Sequence, residues 1–348
     1  MFFQRPAAVP GVIFDSDMGV NIDAVLALAV LYGAPSKIRV ISVTTTNPDL
    51  TSAAYCDVIA RFYATGAKLN TTPVHYHFPI GYTEPGSRDR QVSGAGMLKK
   101  ALETKTEEGT PAFGVNVQEV ADTGDVPVVI RNALTGQKDG EAMIVAAGPA
   151  SNLVRALALP GNRDLLAAKL RTLVLAAGDF SGSTADPRIR ADVSAARRLF
   201  ADWPGSIVVI PREAGAALPY PGASIAADFT WAPAHPVVEA YKAWKPMPYD
   251  APSQAVLAAL YAVDPKSDLL TLSDPGRINV SDDGRTTFTP SASGKHRYLI
   301  VKPDAEWKSS VVKAFTTLAS AKPAVPAGRG PRPQQQQQQQ QVPKIPQP

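Results

Sequence analysis

The sequence is poor in the side chains that form disulfides and soft-metal sites. It has one cysteine among 348 residues, which excludes an intrachain disulfide and a zinc site built from several cysteines. That residue, Cys56, lies in an apolar, helix-like stretch, which predicts a buried packing position. The histidines do not show the spacing of a metal centre; they are His75, His77, His235 and His296.

Long apolar runs are also missing. Nowhere do 18 consecutive apolar residues occur, so we expect no membrane-spanning helix and no membrane partner. Met1–Pro6 lacks a charged leader followed by a long apolar stretch, so the sequence as given predicts no signal peptide. The cellular location therefore stays unknown from the sequence. We take a cytoplasmic location as the default and export from a truncated start as the alternative.

An excess of one charge sign is absent as well. The formal net charge is +4, from 35 Lys and Arg against 31 Asp and Glu, and no block of basic residues stands out. Nucleic-acid binding and membrane-surface binding therefore have no compositional support. The apolar content of 45% is normal for a globular core. We expect a small-molecule partner.

Short apolar, β-branched runs alternate with helix-like stretches in the first two thirds of the chain. Val12–Phe14, Ile38–Thr44, Ala142–Ala147, Leu173–Ala177 and Ile207–Ile210 read as strands buried on both faces. This alternation predicts an α/β fold with a mainly parallel, open central sheet flanked by helices.

The last third changes character. Across residues 270–301, turn dipeptides separate β-rich runs, which predicts an antiparallel meander added to the main sheet. We expect one domain over residues 8–320. Beyond it, residues 321–348 form a tail rich in proline and glutamine that cannot bury enough apolar surface to fold, and this composition predicts disorder.

Three acids cluster where the first predicted strand ends. Asp15 and Asp17 follow Val12–Phe14 directly, and Asp23 comes at the start of the next helix, where the helix dipole favours its charge. The carboxyl ends of strands in an open α/β sheet are where ligands bind. The cluster is typical of a cation or sugar-hydroxyl site. The alternative is that these acids only shape a turn and cap a helix.

An ordered set of motifs resembles the inosine/uridine-preferring nucleoside hydrolases. Asp15–Leu28 aligns without a gap with the family motif Asp-Thr-Asp-Met-Gly-Asn-Asp-Ile-Asp-Asp-Ala-Leu-Ala-Leu. Asn47, Gly148–Leu153 and Ala255–Leu257 add further matches in the same order. The resemblance covers about residues 10–310 and implies a nucleoside-hydrolase-like fold.

The resemblance also implies a chemistry. In such enzymes a calcium ion at the strand ends holds a water and the ribose hydroxyls, and an aspartate takes a proton from that water as it attacks the anomeric carbon. The products are a free base and ribose. By resemblance, the residues are Asp17 as general base and metal ligand, Asp15 and the backbone carbonyl of Ala147 as further ligands, and Asp23, Asn47 and Asn152 as substrate-binding residues.

Two calcium-ligand positions depart from the family pattern. The second acid of the family's Asp-Asp pair is Ala24 here, and the late ligand position, counted back from Ala255, is Pro252. Asp250, two residues earlier, is a candidate replacement ligand. Because calcium affinity depends on the number of charged ligands, we expect calcium binding to be weakened or absent. The alternative function is an impaired or inactive family member that binds a ribosylated ligand or a protein partner.

A third departure adds a cation. Asp186-Pro187-Arg188 stands where related proteins often carry Glu-aromatic-Asn in contact with the sugar, so Asp186 and Arg188 are candidate substrate-binding residues. We hypothesise that the Arg188 guanidinium lies near the vacated metal position and pairs with Asp15 or Asp17. Relatives commonly form dimers or tetramers, so a homo-oligomer is a further expectation from the resemblance.

Overall fold

The computed structural model describes residues 9–65, 78–83, 95–182 and 184–323. Most of the predicted tail at 321–348 lies outside these residues, as do His75 and His77. None of the helices in the described part has the length and hydrophobicity that crossing a bilayer requires. Everything stated below about the fold concerns these residues.

The described residues form one sheet flanked on both faces by helices. Its strands are β1 (Gly11–Ser16), β2 (Arg39–Thr45), β3 (Ile80–Tyr82), β4 (Gly124–Asp125), β5 (Ala142–Ala147), β6 (Leu170–Ala176), β7 (Ile207–Ile210), β8 (Gly276–Val280), β9 (Thr286–Pro290) and β10 (His296–Tyr298). They lie in the order β4-β3-β2-β1-β5-β6-β7-β10-β8-β9. All pairings from β4 to β10 are parallel, which confirms the predicted mainly parallel sheet.

The helices are α1 (Ile22–Tyr32), α2 (Leu50–Ala64), α3 (Ala95–Leu102), α4 (Val126–Thr135), α5 (Ser151–Ala158), α6 (Asn162–Lys169), α7 (Pro187–Ala191), α8 (Val193–Asp202), α9 (Arg212–Ala217), α10 (Gly222–Ala227), α11 (Pro236–Trp244), α12 (Gln254–Val263) and α13 (Ala305–Ala319). Cys56 is buried within α2, as predicted.

Each central strand contributes to a core on both faces of the sheet. In β1, Val12 and Phe14 pack into the core formed with α1–α3 and α9–α13, whereas Ile13 packs into the core formed with α4–α8. Successive side chains of a strand point to opposite faces, so a strand covered on both sides must be apolar throughout. This is why the strand sequences read as continuous apolar runs.

The antiparallel end of the sheet is present but is connected in an unexpected order. β8 and β9 form a hairpin, and β10 returns to lie between β7 and β8, parallel to β7 and antiparallel to β8. The final helix, α13, then packs beside α1. The three C-terminal strands therefore extend the parallel sheet through β10 rather than through β8.

Candidate active site at the carboxyl ends of the strands

Asp15 occupies the centre of this edge of the sheet. It lies in register between Thr44 of β2 and Ala146 of β5 and has no exposed surface. Thr44 Oγ1 donates to Asp15 Oδ1 at 2.5 Å, and Asn152 Nδ2 donates to the same oxygen at 2.8 Å. A carboxylate buried this deeply needs such donors.

The turn after β1 brings Asp17 next to the end of β5. The Asp17 N–H donates to the carbonyl of Ala147 at 3.1 Å. A Cβ atom at Gly148 would lie 2.8 Å from the Asp17 backbone nitrogen, so this close approach requires glycine. Gly19, with φ of 97°, completes the turn in a conformation that side chains disfavour. The family-like motif is thus a turn built around Asp17.

The two candidate substrate-binding asparagines already have partners within the protein. Asn47 donates through Nδ2 to the carbonyl of Met18 at 2.9 Å and accepts from the Asp49 N–H at 3.2 Å. Asn152 donates to Asp15 and accepts from Thr83 Oγ1 at 2.6 Å. Both side chains are at most 1% exposed, so in this structure they brace the turn and the strand end.

Arg188 reaches into the acidic cluster from α7. Its Nε donates to Asp17 Oδ2 at 3.1 Å, and its Nη2 donates to Asp23 Oδ1 at 2.9 Å and, more weakly, to Asp17 Oδ1 at 3.4 Å. The guanidinium is 7% exposed and the two carboxylates less. The hypothesis that Arg188 pairs with an acid of the opening motif is confirmed for Asp17, and Asp23 is a second partner.

Arg188 uses all of its donors. Nη1 donates to Gln254 Oε1 at 3.1 Å and to the carbonyl of Ala176 at 3.4 Å, so the five N–H groups of the guanidinium have five acceptors. A buried guanidinium with every N–H used is held in one orientation. Arg188 therefore joins the ends of β1, β6, α1 and α12 in a single network.

Gln254 is the residue of this network that the motif comparison did not assign. As the first residue of α12, it accepts from Arg188 and donates through Nε2 to Asp186 Oδ2 at 3.1 Å and to the carbonyl of Ile210 at 3.0 Å. Asp186 caps α7 by accepting from the Arg188 N–H at 2.8 Å. The only signal in the sequence was the position of Gln254 beside the matched Ala255–Leu257.

Asp23 connects the starts of two helices. One of its oxygens accepts from Arg188, and the other accepts from the backbone N–H of Ala255 in the first turn of α12, at 3.1 Å. The cap of α1 is Asn21, whose side chain accepts from the Asp23 N–H. The alternative in which Asp23 is the N-cap of α1 is therefore wrong, because its side chain points to α7 and α12 instead.

Burial and charge shift the pKa values of the cluster. Burial raises the pKa of Asp17 to about 6 from an ordinary value of 3.8, although Arg188 opposes the shift; Asp23 and Asp186 add to it. Burial also raises the pKa of Asp186, against the opposing effect of Arg188. Burial disfavours the charged form of Arg188, but Asp17, Asp23 and Asp186 more than compensate, and its pKa is raised. Arg188 therefore stays protonated, whereas the pKa of Asp17 is well above the ordinary value of an aspartate.

The residues at the two positions where the sequence predicts the loss of a calcium ligand do not join the cluster. Ala24 is fully buried in α1, and Pro252 is exposed. Asp250 is also exposed, and its Oδ1 accepts from the N–H of Gly222 at 2.9 Å. His235 lies elsewhere, with Nδ1 accepting from the Val237 N–H and its ring enclosed by aromatic side chains.

The donor set does not fit calcium. Calcium takes six to eight oxygen ligands at 2.3–2.6 Å, but both oxygens of Asp17 and one of Asp23 accept from the Arg188 guanidinium. Within the described residues, no group of three or more His, Cys, Asp or Glu side chains is arranged to hold a metal ion. A calcium ion at these carboxylates would also lie close to the positive charge of Arg188 and be repelled by it.

The chain matches one family model, described as inosine-uridine preferring nucleoside hydrolase, over residues 12–316. A plant nucleoside hydrolase, PpNRh1, superposes with a TM-score of 0.66 at 17% identity, covering 90% of this chain and all of that one. An inosine-guanosine nucleoside hydrolase gives 0.68 at 15% identity, covering 90% and 99%.

The type III effector protein XopQ, in a structure complexed with adenosine diphosphate ribose, gives a TM-score of 0.59 at 13% identity, covering 92% and 96% of the two chains. At these identities the solved structures show a shared fold. No curated protein sequence is similar enough to count as a match.

Proposed function

Because the chain belongs to the inosine-uridine preferring nucleoside hydrolase family, we propose that it binds a ribosylated small molecule at Asp17 and Arg188 without calcium-dependent hydrolysis. One observation carries this proposal: the Arg188 guanidinium donates to both Asp17 and Asp23, where the family resemblance implies a divalent cation. A fixed organic cation balances the carboxylates but cannot coordinate and activate a water as a metal does.

The network leaves acceptor capacity for sugar hydroxyls. Each carboxylate oxygen has two lone pairs, and Arg188 uses one on each oxygen of Asp17. Asp17 thus keeps two acceptor positions, the number that a vicinal pair of ribose hydroxyls would use. The complex of XopQ with adenosine diphosphate ribose supports the choice of ligand class.

A second candidate function is hydrolysis without a metal, and the pKa of Asp17 favours it. At about 6, this pKa is near the range in which a carboxylate accepts a proton efficiently. In that reaction Asp17 takes the proton of a water whose oxygen bonds to the anomeric carbon, while the N-glycosidic bond breaks and its electron pair leaves with the base. The leaving base needs a proton donor as well.

Calorimetry with adenosine diphosphate ribose, inosine and uridine tests the binding. We expect one of these compounds to bind with a stoichiometry of one and Asp17→Asn to weaken it by at least tenfold. The matched control is Asp250→Asn, which changes an exposed acid outside the network and should leave affinity unchanged. Failure of all three ligands to bind, or equal affinity in both variants, would contradict the proposal.

Product release separates the two candidates. Each compound is incubated with the protein in the presence of calcium or of a chelator, and free base is measured. Our proposal expects no release under either condition. Release only with calcium overturns the proposal, and release that persists with the chelator and is lost in Asp17→Asn favours metal-free hydrolysis.

A further inference from the structure

A cavity whose lining residues are all outside the acidic cluster lies beside the amino ends of β7 and β10. It has a volume of about 760 Å³. We call it the amino-edge cavity and define it by Arg163, Arg197, Trp203, Arg277, Lys295 and His296. Trp203 precedes β7, Lys295 precedes β10, and His296 is the first residue of β10. Small-molecule sites in proteins usually have volumes of 300–1,000 Å³.

Cations from four separate segments converge on this cavity. They are Arg163 in α6, Arg197 in α8, Arg277 in β8 and Lys295 before β10. No Asp or Glu side chain is among the described residues that line it. A cavity wall of one charge sign concentrates counter-ions of the other sign.

Most of this charge is not neutralised by the protein. Arg197 donates to Asp282 at 2.6 Å and to the carbonyl of Val280 at 2.8 Å. In the part of the chain that the structure describes, Arg163, Arg277 and Lys295 have no acid within 4.0 Å. Three of the four cations that line the cavity therefore have no acidic partner among the described residues; the Lys295 ammonium donates to the carbonyl of Pro204 at 3.2 Å.

The remaining polar side chains of the wall add no anion. His296 accepts through Nδ1 from the Ile278 N–H at 2.9 Å, and burial together with Arg277 and Lys295 lowers the pKa of its ring to about 4. Trp203 is a residue of the wall, and its indole nitrogen is buried without an acceptor among the described residues. The wall thus combines several cations with no anionic side chain among the described residues, as an anion site requires.

From these observations we infer that the amino-edge cavity binds the di- or triphosphate group of a small molecule. Arg163 and Arg277 present guanidinium forks that match phosphate oxygens, and Lys295 supplies a third positive charge. Three unpaired cations balance the charge of a diphosphate or triphosphate better than that of a single carboxylate. The bounded volume favours a small molecule over a nucleic-acid strand, which needs an extended basic groove.

Inorganic tripolyphosphate is the probe, because it has no ribose and so cannot report on the proposed ribosyl site. Calorimetry at low ionic strength compares the full-length protein with Arg163→Ala/Arg277→Ala. The charge-matched control is Arg131→Ala/Lys313→Ala, which removes two exposed cations outside the cavity. All four residues are exposed, so both double variants should fold, and thermal denaturation checks this.

We expect binding with a stoichiometry of one, at least tenfold weaker in Arg163→Ala/Arg277→Ala and unchanged in the control. Affinity should also fall as salt is raised. Absence of binding, or an equal loss in both double variants, overturns the inference, since the second result would indicate net charge alone. Tighter binding of a single-stranded oligonucleotide than of tripolyphosphate overturns it too.

The two proposals fail separately. Asp17→Asn should not alter tripolyphosphate affinity, and the double variant of the cavity should not alter the affinity for inosine or uridine. Binding of adenosine diphosphate ribose that is lost in Arg163→Ala/Arg277→Ala and kept in Asp17→Asn assigns that ligand to the amino-edge cavity instead, which supports this inference and contradicts the ribosyl site.

Discussion

The acidic cluster and the amino-edge cavity differ in whether their charged side chains are buried and paired within the protein. At the carboxyl edge, Asp17 and Asp23 are at most 3% exposed and share one guanidinium, Arg188, whose N–H groups are all used. At the amino edge, Arg163 and Arg277 are exposed, and no described acid pairs with them. In the first region the charged side chains pair with each other, whereas in the second region these two arginines have no acidic partner among the described residues.

The difference follows from the cost of desolvation. An ionised group inside a protein is tolerated only when it is paired and hydrogen-bonded, whereas water stabilises an exposed cation at little cost. The buried network is therefore coupled to folding as well as offering the remaining acceptor positions of Asp17, whereas the exposed cations can be neutralised by a ligand with little effect on folding. The variants below test whether this contrast holds, from the largest expected effect to the smallest.

Removing the cation of the buried network should have the largest effect. Arg188→Ala leaves Asp17 and Asp23 as uncompensated buried charges, and we expect a loss of about 3–5 kcal/mol in the free energy of unfolding. Urea denaturation at pH 7 measures it. Arg188→Lys, which keeps charge but not the planar fork, should fall between wild type and Arg188→Ala.

The matched control for Arg188 is Arg190→Ala, an exposed arginine of the same helix, which should change stability by less than about 0.5 kcal/mol. Similar losses in Arg188→Ala and Arg190→Ala would show that the network is not what stabilises this edge.

The pH dependence of stability should report Asp17. Its folded-state pKa of about 6 exceeds the ordinary value of 3.8, so its contribution to stability is present below about pH 4 and is lost as the pH rises through 6. Relative to Asp17→Asn, the wild type should lose about 2–3 kcal/mol between pH 4 and pH 7.

Denaturation of wild type and Asp17→Asn at several pH values checks this. The comparison cancels the groups that both proteins share, including His235 and His296, whose lowered pKa values act in the opposite direction. A stability difference that does not vary with pH would mean that Asp17 titrates in the folded state as it does in the unfolded chain.

Removing the neutral member of the network should have a smaller effect. Gln254→Ala deletes hydrogen bonds to Arg188, Asp186 and the carbonyl of Ile210, and we expect a loss of about 1–3 kcal/mol. Gln118→Ala, at an exposed position, is the control. If both substitutions cost the same in urea denaturation, Gln254 is a packing residue and not a link between α12 and α7.

The amino-edge cavity should show almost no effect on folding. Arg163→Ala/Arg277→Ala removes exposed cations, and we expect the free energy of unfolding to change by less than about 0.5 kcal/mol. Reduced repulsion among the remaining cations favours a small increase in this free energy. A loss above about 2 kcal/mol in thermal or urea denaturation would show that these residues hold the fold and would remove the contrast between the two regions.

Much of the fold follows from local patterns. The apolar runs at β1, β5 and β7 were predicted within one or two residues, because a strand covered on both faces must be apolar along its whole length. The insertion of β10 between β7 and β8 was not predicted. Strand order depends on pairing between segments distant in the chain, which periodicity does not report.

The candidate site, too, was predicted from the sequence only in part. The sequence placed Asp15, Asp17 and Asp23 at one sheet edge and suggested that Arg188 pairs with Asp15 or Asp17. It did not indicate that Arg188 would bridge Asp17 to Asp23, or that Gln254 would complete its set of acceptors. Asn47 and Asn152 were expected at the substrate, and the structure shows each of them bonded to the protein.

By itself, the sequence determined the family and the mainly parallel sheet, because motifs and apolar runs are local in the chain. That Ala24 and Pro252 stand in place of calcium-binding acids stays a prediction. Only the tertiary structure decided what balances the remaining acids. Arg188 lies 171 residues from Asp17, and their hydrogen bond exists because the ends of β1 and β6 meet at one edge. Likewise, the cations of the amino-edge cavity are scattered along the chain and are brought together by packing alone.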